Sequence, residues 1–361
     1  MTANSTYPEL YSLPLRSDKY EMAIANTIDT ILGLKKGERL VVVTSRVKPE
    51  DWGTINETEQ TRRRETYTIA KMLSMYACRS GDNLVQFIHY DATLRNAVEP
   101  PDHVLEKMMD CGEDTAMILM PWDSLTHTQA RKAANEKGAR IMSSPHFTAE
   151  MMENGGPMCA DYSEVKKISE ELAAALSEAD SSHVTAPNGT ELYLFYEPSP
   201  AHPDTGDVTL PGSCSNLPAG EAYRALQRKG YGKLKGVLQG EEIEIDFKDG
   251  LATAVLSDNA VSTRVRGILF PDYEDENIIN RRQFAEDGTG TNRMLAQDPM
   301  RWTYSPLTAE KILGTKHFAP GDNSTFGGTN KTDYHEDIVV FKPTWELGNG
   351  RILMRDGELI L

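Results

Sequence analysis

The sequence has few cysteines and no long apolar run. Its four cysteines, Cys78, Cys111, Cys159 and Cys214, form no Cys-x-x-Cys pair. This spacing argues against a zinc knuckle or a thioredoxin-like site, so we expect buried thiols. No stretch approaches the roughly 18 consecutive apolar residues of a membrane-spanning helix. The N-terminus lacks a basic segment followed by an apolar one, so we expect no signal peptide and a cytoplasmic protein.

Positive charge is scarce as well. The chain has 38 Lys and Arg against 54 Asp and Glu, a net charge of −16, and the acidic residues are spread along it. Such a balance argues against nucleic acid or an anionic membrane as a partner. No Gly-rich phosphate motif follows the first apolar strand, which argues against nucleotide binding. We therefore expect no nucleic acid and no membrane among its partners.

The first half of the sequence alternates two patterns. Short apolar runs at 38–45, 83–92, 114–123 and 138–145 read as strands, whereas 57–81, 124–138 and 161–182 have helical spacing. Repeated strand and helix predict a mostly parallel sheet with helices on both faces. The length of 361 residues favours two domains, and we place the first, an α/β domain, at residues 1–182.

The second half has a different pattern of polar and apolar residues. Segments 183–198, 232–255 and 336–361 alternate polar and apolar residues around Asn-Gly, Asp-Gly and similar turn signals. We therefore predict a largely antiparallel, β-rich domain at residues 183–361, which carries a metal site.

The metal site is predicted from the segment "DYHEDIVVF". Its apolar end indicates a strand, so His335 and Asp337, two positions apart, project from the same face. With a distant histidine, His317, they supply two imidazoles and one carboxylate, a set that holds a divalent transition metal and leaves positions open. Taken singly, a histidine in such a segment is more often a surface or hydrogen-bonded loop residue than a metal ligand. The loop "GDNSTFGG" between the two histidines favours sharp turns.

Four segments, "NLPAGE", "FAEDGTGTN", "LGTKHFAPGDN" and "HEDIVV", occur in an order that resembles the aminopeptidase T family of metallopeptidases. The resemblance covers roughly the second domain. It implies a centre of two divalent ions, zinc, manganese or cobalt, and hydrolysis of a small amide or peptide. The implied metal ligands are Glu221, Glu286, His317, His335 and Asp337. The resemblance also implies a homodimer or a larger homo-oligomer.

Under this interpretation Glu221 and Glu286 are the catalytic glutamates. Glu221 is a metal ligand, and Glu286 serves either as a ligand or as the general base. One position departs from the family, whose peptidases have a further tyrosine ligand seven residues after the first histidine. This sequence has Ser324 there. Tyr334 does not substitute for it, since it neighbours His335 on the strand and faces the opposite side.

The same segments resemble 2,5-dihydroxypyridine 5,6-dioxygenase. That resemblance implies a single iron(II) on His317, His335 and Asp337, and oxidative cleavage of a hydroxylated ring. Glu221 and Glu286 would then orient the ligands or accept a proton from the substrate. A third class, a metal-stabilised protein without turnover, fits less well, because structural zinc normally has four Cys or His ligands.

Other candidates carry weaker signals. His89, His127 and His146 could line a substrate cleft, although core or capping histidines are commoner. The Pro- and Gly-rich segment 198–213 could cover the metal site or form a plain surface loop.

Overall fold

The computed structural model describes residues 17–79, 81–227 and 229–361. Most of the segment in which we expect no signal peptide lies outside these ranges. Within them, every helix is too short or too polar to cross a membrane.

The described strands are β1 (Arg39–Arg46), β2 (Leu84–Asp91), β3 (Thr115–Leu119), β4 (Arg140–Ser143), β5 (Ser181–Thr185), β6 (Glu191–Phe195), β7 (His202–Asp204), β8 (Cys214–Asn216), β9 (Glu221–Ala225), β10 (Gly230–Leu238), β11 (Glu241–Lys248), β12 (Leu251–Val255), β13 (Phe284–Gly290), β14 (Thr315–Pro320), β15 (Ile338–Phe341), β16 (Thr344–Leu347), β17 (Ile352–Arg355) and β18 (Glu358–Leu359).

The described α-helices are α1 (Glu21–Ala25), α2 (Glu57–Ala77), α3 (Asp102–Met109), α4 (Gln129–Glu136), α5 (Ala149–Met152), α6 (Tyr162–Ser177), α7 (Ala260–Leu269), α8 (Glu276–Arg281) and α9 (Pro306–Ala309). A π-helical turn, Asn26–Ile31, continues α1, and short 3₁₀ turns occur at Ser17–Lys19, Pro49–Thr54, Pro157–Cys159, Leu295–Gln297 and Pro299–Trp302.

Contacts divide the chain into two compact units. The first extends to Tyr162 and includes Gly206–Pro218, and the second comprises Ser163–Thr205 and Ala219–Leu361. The boundary predicted near residue 182 rests on a change in the sequence pattern, and it remains a prediction. Grouped by contacts, helix α6 belongs with the second unit from Ser163 onwards. The chain returns to the first unit at Gly206.

The first unit is built on a parallel sheet. Its described strands follow the order β2-β1-β3-β4-β8, and each neighbouring pair is parallel. Strand β1 is buried on both faces from Leu40 to Ser45, as expected for a sheet covered by helices on both sides. Helices α3 and α4 pack on the face that carries Val41 and Val43. The predicted α/β fold is confirmed.

The second unit is a large antiparallel sheet. Its path runs β18-β17-β16-β5-β6-β10-β15-β14-β13-β9-β7, with β11 beside β10 and β12 beside β11. Aromatic rings fill its core, where Phe284 stacks on Phe247 at 4.2 Å between ring centroids and meets Phe318 edge-on at 5.8 Å. The predicted β-rich second half is confirmed, and its central strands β9, β13, β14 and β15 carry the candidate site.

The expectation of four buried thiols is wrong for Cys78 and Cys214, which are exposed. Cys111 is buried, Cys159 is half-buried, and no disulfide joins any of the four. Cys78 follows the last turn of α2, where the helix ends at the surface, and Cys214 begins the outermost parallel strand, β8.

Candidate metal centre

Strand register brings three of the predicted ligands together. On β14, His317 lies opposite Gly288 of β13, and Gly288 lies opposite Tyr223 of β9. Glu286 is two residues before Gly288, and Glu221 is two residues before Tyr223. Because side chains alternate along a strand, Glu221, Glu286 and His317 project from the same face of the sheet.

Gly288 makes room for the imidazole of His317. A Cβ atom at this position would lie 1.9 Å from His317 Nε2, well inside any contact distance. The ring therefore lies across the backbone of β13. This places its Nε2 between two carboxylates, 3.2 Å from Glu221 Oε2 and 3.5 Å from Glu286 Oε1.

His335 and Asp337 immediately precede β15. His335 bridges to Gly321, and its Nδ1 lies 2.7 Å from the carbonyl oxygen of Asp322. A carbonyl can only accept a hydrogen bond, so Nδ1 carries the hydrogen and Nε2 is the atom available to a ligand. His335 Nε2 lies 3.5 Å from Asp337 Oδ1 and 3.2 Å from Glu286 Oε2.

All five predicted residues therefore meet around Glu286. Within the described residues they form two groups whose ligand atoms lie within 4.8 Å of one another. We call Glu221, Glu286 and His317 the Glu221 group, and Glu286, His335 and Asp337 the Asp337 group. Glu286 belongs to both. The sequence pattern predicted that His335 and Asp337 lie on a strand, whereas β15 begins at Ile338; the two side chains still meet in one group.

The residues present fit a divalent cation. Glu221 Oε2, His317 Nε2 and Asp337 Oδ1 are buried without a hydrogen-bond partner in the described part of the chain, and nitrogen with carboxylate oxygen is the ligand set of zinc, manganese, cobalt or iron. Burial alone lowers the pKa of His317, but Glu221 and Glu286 outweigh it and raise that pKa to about 10. The pocket thus stabilises positive charge strongly.

Sequence reasoning missed a lysine at this site. Lys311 is 1% exposed, and its Nζ lies 3.1 Å from Glu221 Oε1 and 3.8 Å from Asp204 Oδ2. It also contacts Glu310. Burial lowers the pKa of Lys311, but these three carboxylates outweigh it and raise the pKa well above its usual value. In the sequence, the only indication of this role is that Lys311 lies just before the "LGTKH" segment that contains His317.

Glu310 is the second missed residue. Its carboxyl contacts the Lys311 ammonium and lies near the Asp337 carboxylate. Burial raises the pKa of Glu310 well above the usual value for a glutamic acid. Glu310 therefore adds a further titratable group between Lys311 and the Asp337 group.

Asp287 does not belong to the site, although it neighbours Glu286 in sequence. It projects to the opposite face of β13, where its Oδ1 lies 2.5 Å from Lys316 Nζ and both side chains are fully buried. Its other oxygen accepts a hydrogen bond of 2.5 Å from Tyr196. Lys316 Nζ also lies 3.6 Å from the centroid of the Trp345 ring. These residues support the strands beneath the site.

The loop between the two histidines has a defined structural role. Asn323 is fully buried, and its amide donates to the carbonyl oxygen of Leu226 at 2.6 Å. A Cβ atom on Gly328 would lie 1.9 Å from Asn323 Oδ1, so this glycine permits the close packing. The loop places the ring of Phe326 edge-on to His335, with centroids 5.9 Å apart.

Neither Ser324 nor Tyr334 supplies the tyrosine ligand that the resemblance implies. Ser324 is exposed, and its hydroxyl donates to Asp322 at 2.9 Å. Tyr334 is buried in the core of the second unit. Tyr223, which the sequence reasoning missed, shares a strand face with Glu221. Its position two residues after Glu221 on the same strand could have indicated that it faces the site.

The weaker candidates have ordinary surroundings. His89 and His146 belong to the first unit, where His146 packs edge-on against Trp122 at 5.2 Å between centroids, and His127 is exposed. In the second unit, part of the segment 198–213 is not a loop, because β7 pairs with β9 and aligns Asp204 with Glu221.

Comparison with known proteins identifies relatives by structure only. Neither a family model nor a curated protein matches the sequence. The fold is similar to a 2,5-dihydroxypyridine dioxygenase from Pseudomonas putida KT2440, with a TM-score of 0.68 and 14% identity, over 94% of this chain and 96% of that one. It is also similar to wild-type AmpT from Thermus thermophilus, with a TM-score of 0.61 and 18% identity, over 95% and 98%.

At these identities the likeness establishes a shared fold. Both the aminopeptidase and the dioxygenase expectations correspond to proteins of this fold, so the fold alone does not choose between them.

Proposed function

We propose that this protein is a metal-dependent hydrolase that cleaves a small amide or peptide substrate, as an aminopeptidase does. The observation that carries the proposal is the place of Glu286. Its two oxygens face His317 and His335 separately, and it belongs to both ligand groups. A carboxylate shared by two sets of ligands suits a pair of divalent ions in one hydrolytic centre.

In this proposal Glu221 and His317 hold one ion, His335 and Asp337 hold the other, and Glu286 serves both. Zinc, manganese or cobalt bound there would lower the pKa of water towards neutrality and polarise the carbonyl of the substrate. The protein orients His335 through the carbonyl of Asp322. Because the two oxygens of Glu286 face the two groups separately, the proposal assigns it the role of shared ligand and not that of general base.

A second candidate function is a mononuclear ring-cleaving dioxygenase. The observation that favours it is the ion pair between Lys311 and Glu221, which gives that carboxylate a cationic partner within the chain. His317, His335 and Asp337 would then hold a single iron(II), which supplies the activation of dioxygen. Its substrate would be a hydroxylated heteroaromatic ring such as 2,5-dihydroxypyridine.

Metal content separates the two functions. The protein is purified without oxygen and without chelator, and its metals are counted by plasma mass spectrometry. The hydrolase predicts about two equivalents of zinc, manganese or cobalt per chain and release of amine from peptides or amino acid amides. About one equivalent of iron, with oxygen uptake on hydroxylated rings, would refute it.

Two substitutions and a control sharpen this test. Glu221→Ala should remove one ion and nearly all activity from a dinuclear hydrolase, whereas a dioxygenase should keep its iron. His335→Ala should remove metal in either case, and retention there would refute the whole site. Glu346→Ala changes an exposed acid of the same unit and should alter neither metal content nor activity.

A further inference from the structure

The two ligand groups differ in the charge beside them. The ammonium of Lys311 is buried and lies 3.1 Å from Glu221 Oε1. Buried charges interact strongly because little solvent screens them. The Glu221 group therefore has a fixed positive charge in contact with one of its ligands, which opposes the entry of a cation.

The Asp337 group is separated from that charge. Among the described residues, the ion pairs of the Lys311 ammonium reach Asp204, Glu221 and Glu310. None of them reaches His335 or Asp337. The repulsion that Lys311 exerts on a cation is therefore weaker at the Asp337 group than at the Glu221 group.

The two imidazoles also differ in how they are held. His335 is fixed by the 2.7 Å contact of its Nδ1 with the carbonyl oxygen of Asp322. His317 Nδ1 is buried without a hydrogen-bond partner among the described residues. An imidazole oriented through its second nitrogen is the better metal ligand. Orientation thus favours the same group that charge favours.

From these two contrasts we infer that the groups fill in order. The Asp337 group binds the first divalent cation, and Lys311 keeps the Glu221 group weaker. This inference rests on the proposed dinuclear function. Lys311 holds Glu221 Oε1 and leaves Oε2 directed towards His317, so it is a positioning residue that also limits the affinity for the second ion. At limiting metal the protein then holds one ion per chain.

The order is tested by titrating the full-length, metal-free protein with Mn²⁺ in a calorimeter, with bound metal counted after dialysis. The wild type should bind a first equivalent at least about tenfold more tightly than a second, the size of effect that a partner of an imidazole ligand has on metal affinity. Two equivalents of equal affinity would overturn the inference.

Substitutions show which ligand group is responsible for each of the two Mn²⁺ binding steps. Asp337→Asn should weaken the tight step, and Glu221→Gln should remove the weak step and leave the tight one. Lys311→Met should strengthen the weak step, whereas Lys311→Arg, which keeps the charge, should preserve the difference. The inference fails if Asp337→Asn weakens only the second step or if Lys311→Met leaves the ratio unchanged. If Lys311→Met does not fold, the first two variants still decide the order.

Failure of the proposed function has a different signature. A single Mn²⁺ that is lost in Asp337→Asn, with no second ion at any concentration, would refute the dinuclear hydrolase and would assign the stronger binding to the Asp337 group alone. Two ions that fill in the reverse order would refute the inference and leave the hydrolase standing.

Discussion

Gly288→Ala tests whether the approach of His317 across β13 builds the metal centre. The new Cβ would lie 1.9 Å from His317 Nε2, whereas ordinary contact begins at 3.4 Å. The imidazole must therefore move by about 1.5 Å. Metal sites hold their ligand distances to within about 0.2 Å, so a shift of this size removes His317 as a ligand.

We expect a large loss of metal affinity and a moderate loss of folding stability. Metal affinity at the Glu221 group should fall by more than the roughly 10–100-fold that follows loss of an outer partner. Forcing an extra methyl into a packed site should lower the free energy of unfolding by about 1–3 kcal/mol. Both quantities are measured on one preparation, by metal titration and by urea unfolding of the metal-free protein.

Two further variants control this experiment. Gly267 lies in α7, and a Cβ there meets nothing within 4 Å. Gly267→Ala should stabilise the protein by about 0.5–1 kcal/mol, because alanine is the better helix former, and should leave metal binding unchanged. Added to His317→Ala, Gly288→Ala should cost no further metal affinity. Wild-type metal affinity in Gly288→Ala would refute the assignment of His317.

Two predictions concern groups outside the ligand set. Asp287→Ala removes the carboxylate partner of the buried Lys316 ammonium and leaves the Thr289 hydroxyl at 2.9 Å, so it should lower the free energy of unfolding by about 3–5 kcal/mol. Lys316→Met in the same chain should recover most of this loss. An unchanged free energy in urea unfolding would contradict this account. Burial raises the pKa of the Cys111 thiol to about 11, so iodoacetamide should modify exposed Cys78 and Cys214 in the native protein and Cys111 only after unfolding. Mass spectrometry of the peptides reads this out, and native labelling of Cys111 would contradict it.

Part of the site followed from local pattern. The two-residue spacing in "HEDIVV" predicts that His335 and Asp337 lie on one side of a strand; β15 begins only at Ile338, but the two side chains do belong to one ligand group. The same alternation separates Glu286 from Asp287, which the structure places on opposite faces. Local alternation was not enough for Lys311, because its role comes from Glu221, Glu310 and Asp204.

The sequence by itself indicated the succession of helices and strands, the parallel first sheet, the antiparallel second sheet and the candidate ligands His317, His335 and Asp337. Glu221 and Glu286 entered the prediction only through the resemblance to a family of metallopeptidases. Periods of two and 3.6 residues are local, so they can be read along the chain. Tertiary structure alone decided the pairing of β9, β13 and β14, the return of β8 to the first unit, and the place of the His317 ring over Gly288. Strand register depends on packing between segments far apart in sequence, and so does the position of Lys311 beside Glu221.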